Sequence, residues 1–540
     1  MTMNMNEKTT YKYNEEIMSD GLAFSETVAL RQHSGNGFAK KLIVFFGILL
    51  ACIFIPFAAD AQAGQLTPEF SSTDGSDGAN ILDNSNYTSE GFDTAGTVLT
   101  LKSSEKIGYV YIKWNKAPGE WKLTAGTEEI TCGQDGFLHE LVELSTSVNE
   151  VKITIPEAGT RIVDVYIYSP GDLPDDVQKW EPQCEKADIL FISSHADDEV
   201  LFFGGVIPNY TNNPDVAVQV AYFTEHYSTG EDMRMQEALD GLWAMGVRHY
   251  PQFGEFKDVY SESIEEALTQ YDEDAGLEYI VRTIRKFKPQ VVVTHDENGE
   301  YGHGCHRLVS KLVRDGVVQA ADSTKYTDSV SQYGTWDTPK TYLHLYSENQ
   351  IEMNARVPLE NLGGQTALEI AKAAYLKHDS QQYCWFYVSD GYDDDGNPNG
   401  YELSCTKYGL YRTTVGNDTS TDDMFDNITF YSKQAAVEET TTEAETGDEA
   451  ETTTAAETEK EKSKGSPVLV IIIIIVVIAA AAVIITTALK RKRRREMEAR
   501  RRRQAAMARR RAAAGNATRR PNANRSNSAN RYDPNRRNRR

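Results

Sequence analysis

The sequence predicts an α/β domain built on a mostly parallel sheet, preceded by a small antiparallel β-sandwich and followed by a transmembrane helix. Three observations carry this. From Lys186 to about residue 432, apolar runs alternate with amphipathic helical stretches; from about Ile81 to residue 170, the hydrophobic period is near two; and Val468 to Leu489 is a run without charge. At 540 residues the chain has room for two domains plus tails. Its 40% apolar content, 28 Tyr and 6 Trp exclude whole-chain disorder, and the shortage of long apolar runs excludes a multi-span transporter.

From the N-terminus, residues 1–41 read as a cytoplasmic leader. Residues 42–63 hold the apolar stretch Leu42 to Ala59 after Lys40 and Lys41, ending at Ala61-Gln62-Ala63. Two readings stay open, a cleaved signal peptide and an uncleaved anchor, and both export the domains beyond Gly64. In that exported part five cysteines remain, Cys132, Cys184, Cys305, Cys384 and Cys405. They are too few for a disulfide scaffold, although Cys384 and Cys405 can form a pair.

Residues 64–80 are Gly/Ser/Asp-rich and read as linker. Residues 81–170 contain short alternating runs such as Tyr109-Val110-Tyr111-Ile112, Glu150 to Ile155 and Val163 to Ile167, separated by Pro, Gly and Asn, as in a β-sandwich. In Ile81-Leu82-Asp83, Tyr87-Thr88-Ser89 and its closing β-run this segment resembles galactose-binding-like (discoidin-type) modules. That likeness implies a sugar-binding role; a structural spacer is the other reading.

In residues 186–432, Ile189 to Ile192, Val218 to Phe223 and Val291 to Val293 read as buried strands, and Met233 to Met245, Leu277 to Phe287 and His306 to Val317 as helices. Such a rhythm buries both faces of a parallel sheet and puts ligands beyond the carboxyl ends of its strands. Residues 437–467 are a Thr/Glu-rich stalk. The 22 residues 468–489 would span about 33 Å as a helix, against a hydrocarbon core of about 30 Å. Residues 490–540 carry a net charge of +18 and the other 489 residues -42. By the positive-inside rule the basic tail stays cytoplasmic beside anionic lipid, the α/β domain lies outside the cell membrane, and nucleic acid is not expected as a partner of the exported part.

The chemistry concentrates at two strand ends. After the first α/β strand comes Ser193-Ser194-His195-Ala196-Asp197-Asp198-Glu199, where His195 and Asp198 can aim at one point. An acidic helix start is the plainer reading of that segment alone. After Val291–Thr294 comes His295-Asp296-Glu297-Asn298-Gly299-Glu300-Tyr301-Gly302-His303-Gly304-Cys305-His306-Arg307. Together the clusters supply three histidines and several carboxylates, enough for a site of two His and one Asp with an open position for water. A dinucleotide fold is excluded, since only Phe203-Gly204-Gly205 and no Gly-x-Gly-x-x-Gly comes after the first strand.

These segments resemble the LmbE-like family, also called PIG-L deacetylases. The family motif Ala-His-Pro-Asp-Asp-Glu stands here as Ser194 to Glu199, and Gly-His-Pro-Asp-His as Gly302 to His306. Family-like sequence also occurs at Thr229, Arg234, Glu237-Ala238, Met245-Gly246 and His378-Asp379-Ser380-Gln381. The resemblance implies a Rossmann-like sheet and a zinc-dependent hydrolase, with another divalent metal as an alternative. Its substrate would be an N-acetylglucosamine-containing surface glycan or glycolipid, deacetylated with release of acetate. It implies His195, Asp198 and His306 as metal ligands, Asp197 as general base, and His303 as a protonated partner of the oxyanion. Arg234 would contact substrate or pair with Glu237 on its own helix. Two departures stand out: Ala196 replaces Pro, and Cys305 replaces an Asp that supports the neighbouring histidine in the family. Cys305 is what favours the competing reading, a non-catalytic glycan-binding protein at the cell surface.

Overall fold

A computed structural model describes residues 62–382 and 385–434. Its N-terminal part is all β: β1 (Gln65–Leu66), β2 (Glu69–Ser72), β3 (Glu90–Phe92), β4 (Val98–Trp114), β5 (Trp121–Ala125), β6 (Glu128–Cys132), β7 (His139–Thr154) and β8 (Thr160–Tyr168). Hydrogen bonds join them into one eight-stranded antiparallel sheet in the order β1-β8-β4-β7-β5-β6, with β2 on β4 and β3 on β8. The long pair β4 and β7 breaks register between Lys102 and Tyr109, where the pairing passes from one half of the sheet to the other. Residues 64–80, expected as linker, hold β1 and β2. These strands of two and four residues each set a single large apolar side chain, Leu66 and Phe70, against the core, too little for an alternating pattern to show.

The second part contains β9 (Ile189–Ser193), α1 (Asp198–Leu201), α2 (Ile207–Thr211), β10 (Val218–Tyr222), β11 (Thr224–Glu225), α3 (Met233–Ala244) and β12 (Phe256–Lys257). Next come α4 (Ile264–Gln270), α5 (Glu273–Phe287), β13 (Val291–Thr294), α6 (Gly304–Gln319), α7 (Thr327–Tyr333), β14 (Lys340–His344), β15 (Gln350–Glu352), α8 (Ala367–Tyr375) and β16 (Lys407–Thr413). The main sheet runs β10-β9-β13-β14-β16-β15, parallel through β14 and antiparallel beyond it. Strands β9, β10 and β13 are buried at every position, which explains their mostly apolar sequences, broken within a strand only by the buried Gln219 of β10. Strand order reverses at β9, so the crevice between the ends of β9 and β13 is where such a sheet receives a ligand.

The β part rests on α3. Lys113 Nζ lies 3.2 Å from Asp240, Asn86 donates to Asp240 at 3.0 Å, Asn115 to Asp232 at 2.8 Å, and Gln178 to Asp240 at 2.6 Å. Phe137 stacks on Tyr250 at 4.5 Å, and one apolar core runs from the β part into the α/β part.

The membrane location expected for this chain does not stand. Among the described residues no helix is long and apolar enough to cross a membrane. The longest, α5 and α6, have 15 and 16 residues and alternate buried with exposed faces, whereas a span takes about 20 apolar residues. Residues 1–61 and 435–540, which carried that expectation, the stalk and the basic tail, lie outside the described residues, as does Cys384; Cys405 is a free, buried thiol.

Candidate active site

Two loops at adjacent strand ends build the site. The backbone N–H of Ser194, just past β9, donates to His295 Nε2 just past β13 at 2.8 Å, tying the two ends together. The chain then turns sharply at Asp197, whose φ of 117° is rare for a residue with a side chain. Glu199 steadies the turn by accepting the Asp197 N–H at 2.8 Å. On the other loop α6 begins at Gly304, where an added Cβ would lie 2.2 Å from Ser263 O; its N–H donates to Ser261 O at 2.9 Å. Neither proline nor any side chain fits there, and this close approach sets His303 and His306 at the first turn of α6.

His195, Asp198 and His306 converge. His195 Nδ1 is 3.1 Å from Asp198 Oδ2, His306 Nε2 is 3.2 Å from Asp198 Oδ2, and His306 Nε2 is 3.2 Å from His195 Nδ1. Ligand atoms about 2.0–2.1 Å from a tetrahedral centre stand about 3.3–3.4 Å apart, so this buried triangle fits a divalent cation. Although burial works against its charge, His306 and His195 hold the Asp198 carboxyl well below the usual range. Asp198 and Glu300 overcome the opposing effect of burial and push His306 up to about 9, so a proton and a metal compete for its Nε2.

Glu300 organises the histidines from behind. Its carboxylate accepts from His306 Nδ1 at 2.8 Å, His295 Nδ1 at 2.9 Å and His344 Nδ1 at 2.7 Å. Donation from Nδ1 leaves the His306 Nε2 lone pair facing Asp198 and His195. Glu300 is fully buried, yet His295 and the other donors hold its carboxyl well below the ordinary value.

Asp197 lines an open cavity of about 350 Å³ together with His195, Asp198, Arg234, Asp258 and His303. Burial pushes the Asp197 carboxyl up to about 7, with Arg234 opposing and Asp198 adding to the rise. Arg234 bridges the site: it reaches Ala196 O at 2.6 Å, Asp197 at 3.3 Å and Asp258 at 2.8 Å. Its alternative partner on α3, Glu237, is engaged elsewhere, accepting from Ser380 N at 2.7 Å, Ser380 Oγ at 2.6 Å and Tyr87 Oη at 2.9 Å.

His303 stands beside the triangle, its ring 4.9 Å from that of His195 and 4.5 Å from that of His306. Its Nδ1 is buried without a partner, as expected where Cys305 replaces a carboxylate. Burial, then His195 and His306, push its pKa down to about 2, which favours neutral imidazole over the protonated ring expected for it. Cys305 is fully buried beside His195 and Tyr271.

Sequence reasoning missed Asp258, whose Oδ1 lies 3.4 Å from His195 Nε2, and gave no role to His378, whose Nε2 lies 2.8 Å from Glu199. Asp258 comes after a two-residue strand with no motif around it, so no local signal marks it. His344 is equally silent, ending a strand of mixed polar and apolar residues; Glu300 and His295 lay inside the second cluster but had no assigned role.

Residues 190–317 match the PIG-L family, described as GlcNAc-PI de-N-acetylase. A 1D-myo-inositol 2-acetamido-2-deoxy-alpha-D-glucopyranoside deacetylase of Rhodococcus jostii is 30% identical over 189 residues, covering 30% of this chain and 63% of the relative. The chain thus spans less than two thirds of that relative's length. A mycothiol S-conjugate amidase of Streptomyces coelicolor is 45% identical over 69 residues, 13% of this chain and 22% of the relative. Among solved structures, an N,N'-diacetylchitobiose deacetylase of Pyrococcus horikoshii matches at 19% identity and a TM-score of 0.29, covering 36% of this chain and 71% of that one. With both motifs in order on adjacent strand ends, residues 190–317 are the part of the chain that is similar to the PIG-L family.

Proposed function

We propose that this chain is a metal-dependent N-deacetylase that hydrolyses the acetamide of an N-acetylglucosamine-containing glycan or glycolipid, releasing acetate and a free amine. The observation that carries the reading is the buried triangle of His195 Nδ1, Asp198 Oδ2 and His306 Nε2 at the wall of a cavity that also holds Asp197. Zinc, or another divalent ion tolerated by two imidazoles and a carboxylate, supplies a Lewis acid and an acidified water there when bound.

The chain's own groups do the rest. Asp197 takes a proton from the attacking water and returns it to the departing nitrogen, a dual role suited to a carboxyl raised to about 7. Arg234 donates to one oxygen of that carboxylate at 3.3 Å and so helps to fix its position. His303, as neutral imidazole, donates a hydrogen bond to the acetyl oxygen as charge develops on it. Asp258 faces His195 Nε2 and fixes the ring so that Nδ1 points into the triangle.

The test is metal content and acetate release from N-acetylglucosamine saccharides, for the wild type beside Asp197→Asn. Stoichiometric metal in both proteins, with turnover falling at least about 100-fold in the variant, supports the reading. Undiminished turnover in the variant removes Asp197 from the mechanism, and absence of bound metal removes the centre.

A further inference from the structure

The rim of the cavity carries more exposed aromatic surface than the reaction needs. Tyr301 and Phe386 line the cavity, their rings 4.5 Å apart, and Trp385 packs on Phe386 at 4.0 Å and stands 6.0 Å from Tyr301. Trp385 is nevertheless 66% exposed. The indole thus packs on two rings that line the cavity while most of its own surface meets solvent. Tyr301 is held there with φ at 48°, a left-handed conformation costly for a bulky side chain. Tyr260, also exposed, adds a further ring to the same rim, 5.1 Å from His303.

We propose that Trp385, backed by Phe386 and Tyr301, stacks a second sugar ring attached to the acetylated one, so that the substrate is an oligosaccharide rather than a single sugar. The inference rests on the deacetylase reading above and extends it to the substrate's neighbouring residue. Contiguous aromatic surface beside a polar cavity marks a binding face. The negative face of an indole attracts the weakly positive C–H groups of a pyranose, and the rigid ring loses little entropy on binding. A carboxylate at the same rim, Glu231, lines the cavity with its side chain 53% exposed. It can accept from sugar hydroxyls, whereas beside an acyl chain it would lose hydration without return. The chemistry therefore favours a second sugar over a lipid tail.

The experiment uses the full, metal-loaded chain and two probes, N-acetylglucosamine and its β-1,4-linked disaccharide. Deacetylation is measured for the wild type and Trp385→Ala, and calorimetric binding for Asp197→Asn with and without Trp385→Ala. Expected is a loss of about tenfold in kcat/KM and in affinity for the disaccharide, with the monosaccharide unchanged and the disaccharide partly rescued by Trp385→Tyr. Equal effects on both probes, or none on either, overturn the second-ring site while leaving the deacetylase reading intact. If the wild type turns over neither probe, the deacetylase reading falls. In that case, disaccharide binding that depends on Trp385 still supports the stacking site, and its absence overturns both.

Discussion

His306 donates its Nδ1 hydrogen to Glu300 at 2.8 Å and thereby presents Nε2 to Asp198 and His195. A hydrogen bond behind a ligand fixes its tautomer, its ring plane and its basicity, and losing one costs metal affinity by about 10–100-fold. Glu300→Gln should weaken metal binding by that factor. The amide cannot accept from His295, His306 and His344 together as the carboxylate does. Competition with a chelator of known affinity reads the change directly; an unchanged metal affinity would make Glu300 a mere core residue.

Arg234 opposes the rise that burial imposes on Asp197. Removing its charge in Arg234→Gln should raise the Asp197 pKa further. A base must be unprotonated to act, so the acid limb of the kcat/KM profile should move to higher pH and activity near neutrality should fall. The full pH profile, rather than a rate at one pH, checks this. A limb that stays in place would mean another group titrates there.

The junction between the two parts has its own pH dependence. Asp240 is held at about 2 against the pull of burial, by Lys113 first and then His139 and Asn86. Its folded value is depressed, so its contribution is complete above the ordinary carboxylate value near 3.8 and is lost as pH falls toward 2. The contribution is about 2 kcal/mol, given that the carboxylate is 17% exposed. Denaturant unfolding of the wild type and Asp240→Asn should differ by roughly that amount at pH 6 and converge near pH 2.

Lys113→Met leaves the Asp240 carboxylate facing the junction without its cation, and loss of one partner of a largely buried pair costs roughly 3 kcal/mol. The same denaturant midpoints measure it. Lowering the pH should recover part of the loss, because a protonated Asp240 no longer needs the pair. A loss independent of pH would mean that Lys113 contributes by packing alone.

How much of the site is legible in the sequence depends on where the information lies. Asp197, Asp198 and His195 fall within four consecutive residues after a buried strand, as do His303 and His306 within one helical turn, so motif and geometry coincide. Strands β9, β10 and β13 announced themselves by mostly apolar runs. Strands β14 to β16 did not, because Lys340, Thr341 and His344 are polar residues buried by tertiary partners, such as Asp418 against Lys340. Asp258 and His344 reach the site only through the fold. Glu237 illustrates the converse: a helical neighbour of Arg234 by spacing, it turns to Ser380 and Tyr87, a choice that no local rule decides.

The backbone of Asp197 turns through φ 117°, a conformation that costs a non-glycine residue about 1–3 kcal/mol. Glycine accepts it freely. Asp197→Gly should therefore give a protein that resists unfolding better than its parent while having lost its base. At this one dihedral angle the demands of durability and of turnover are opposed, and a screen that rewards thermal resistance alone would drift away from the enzyme.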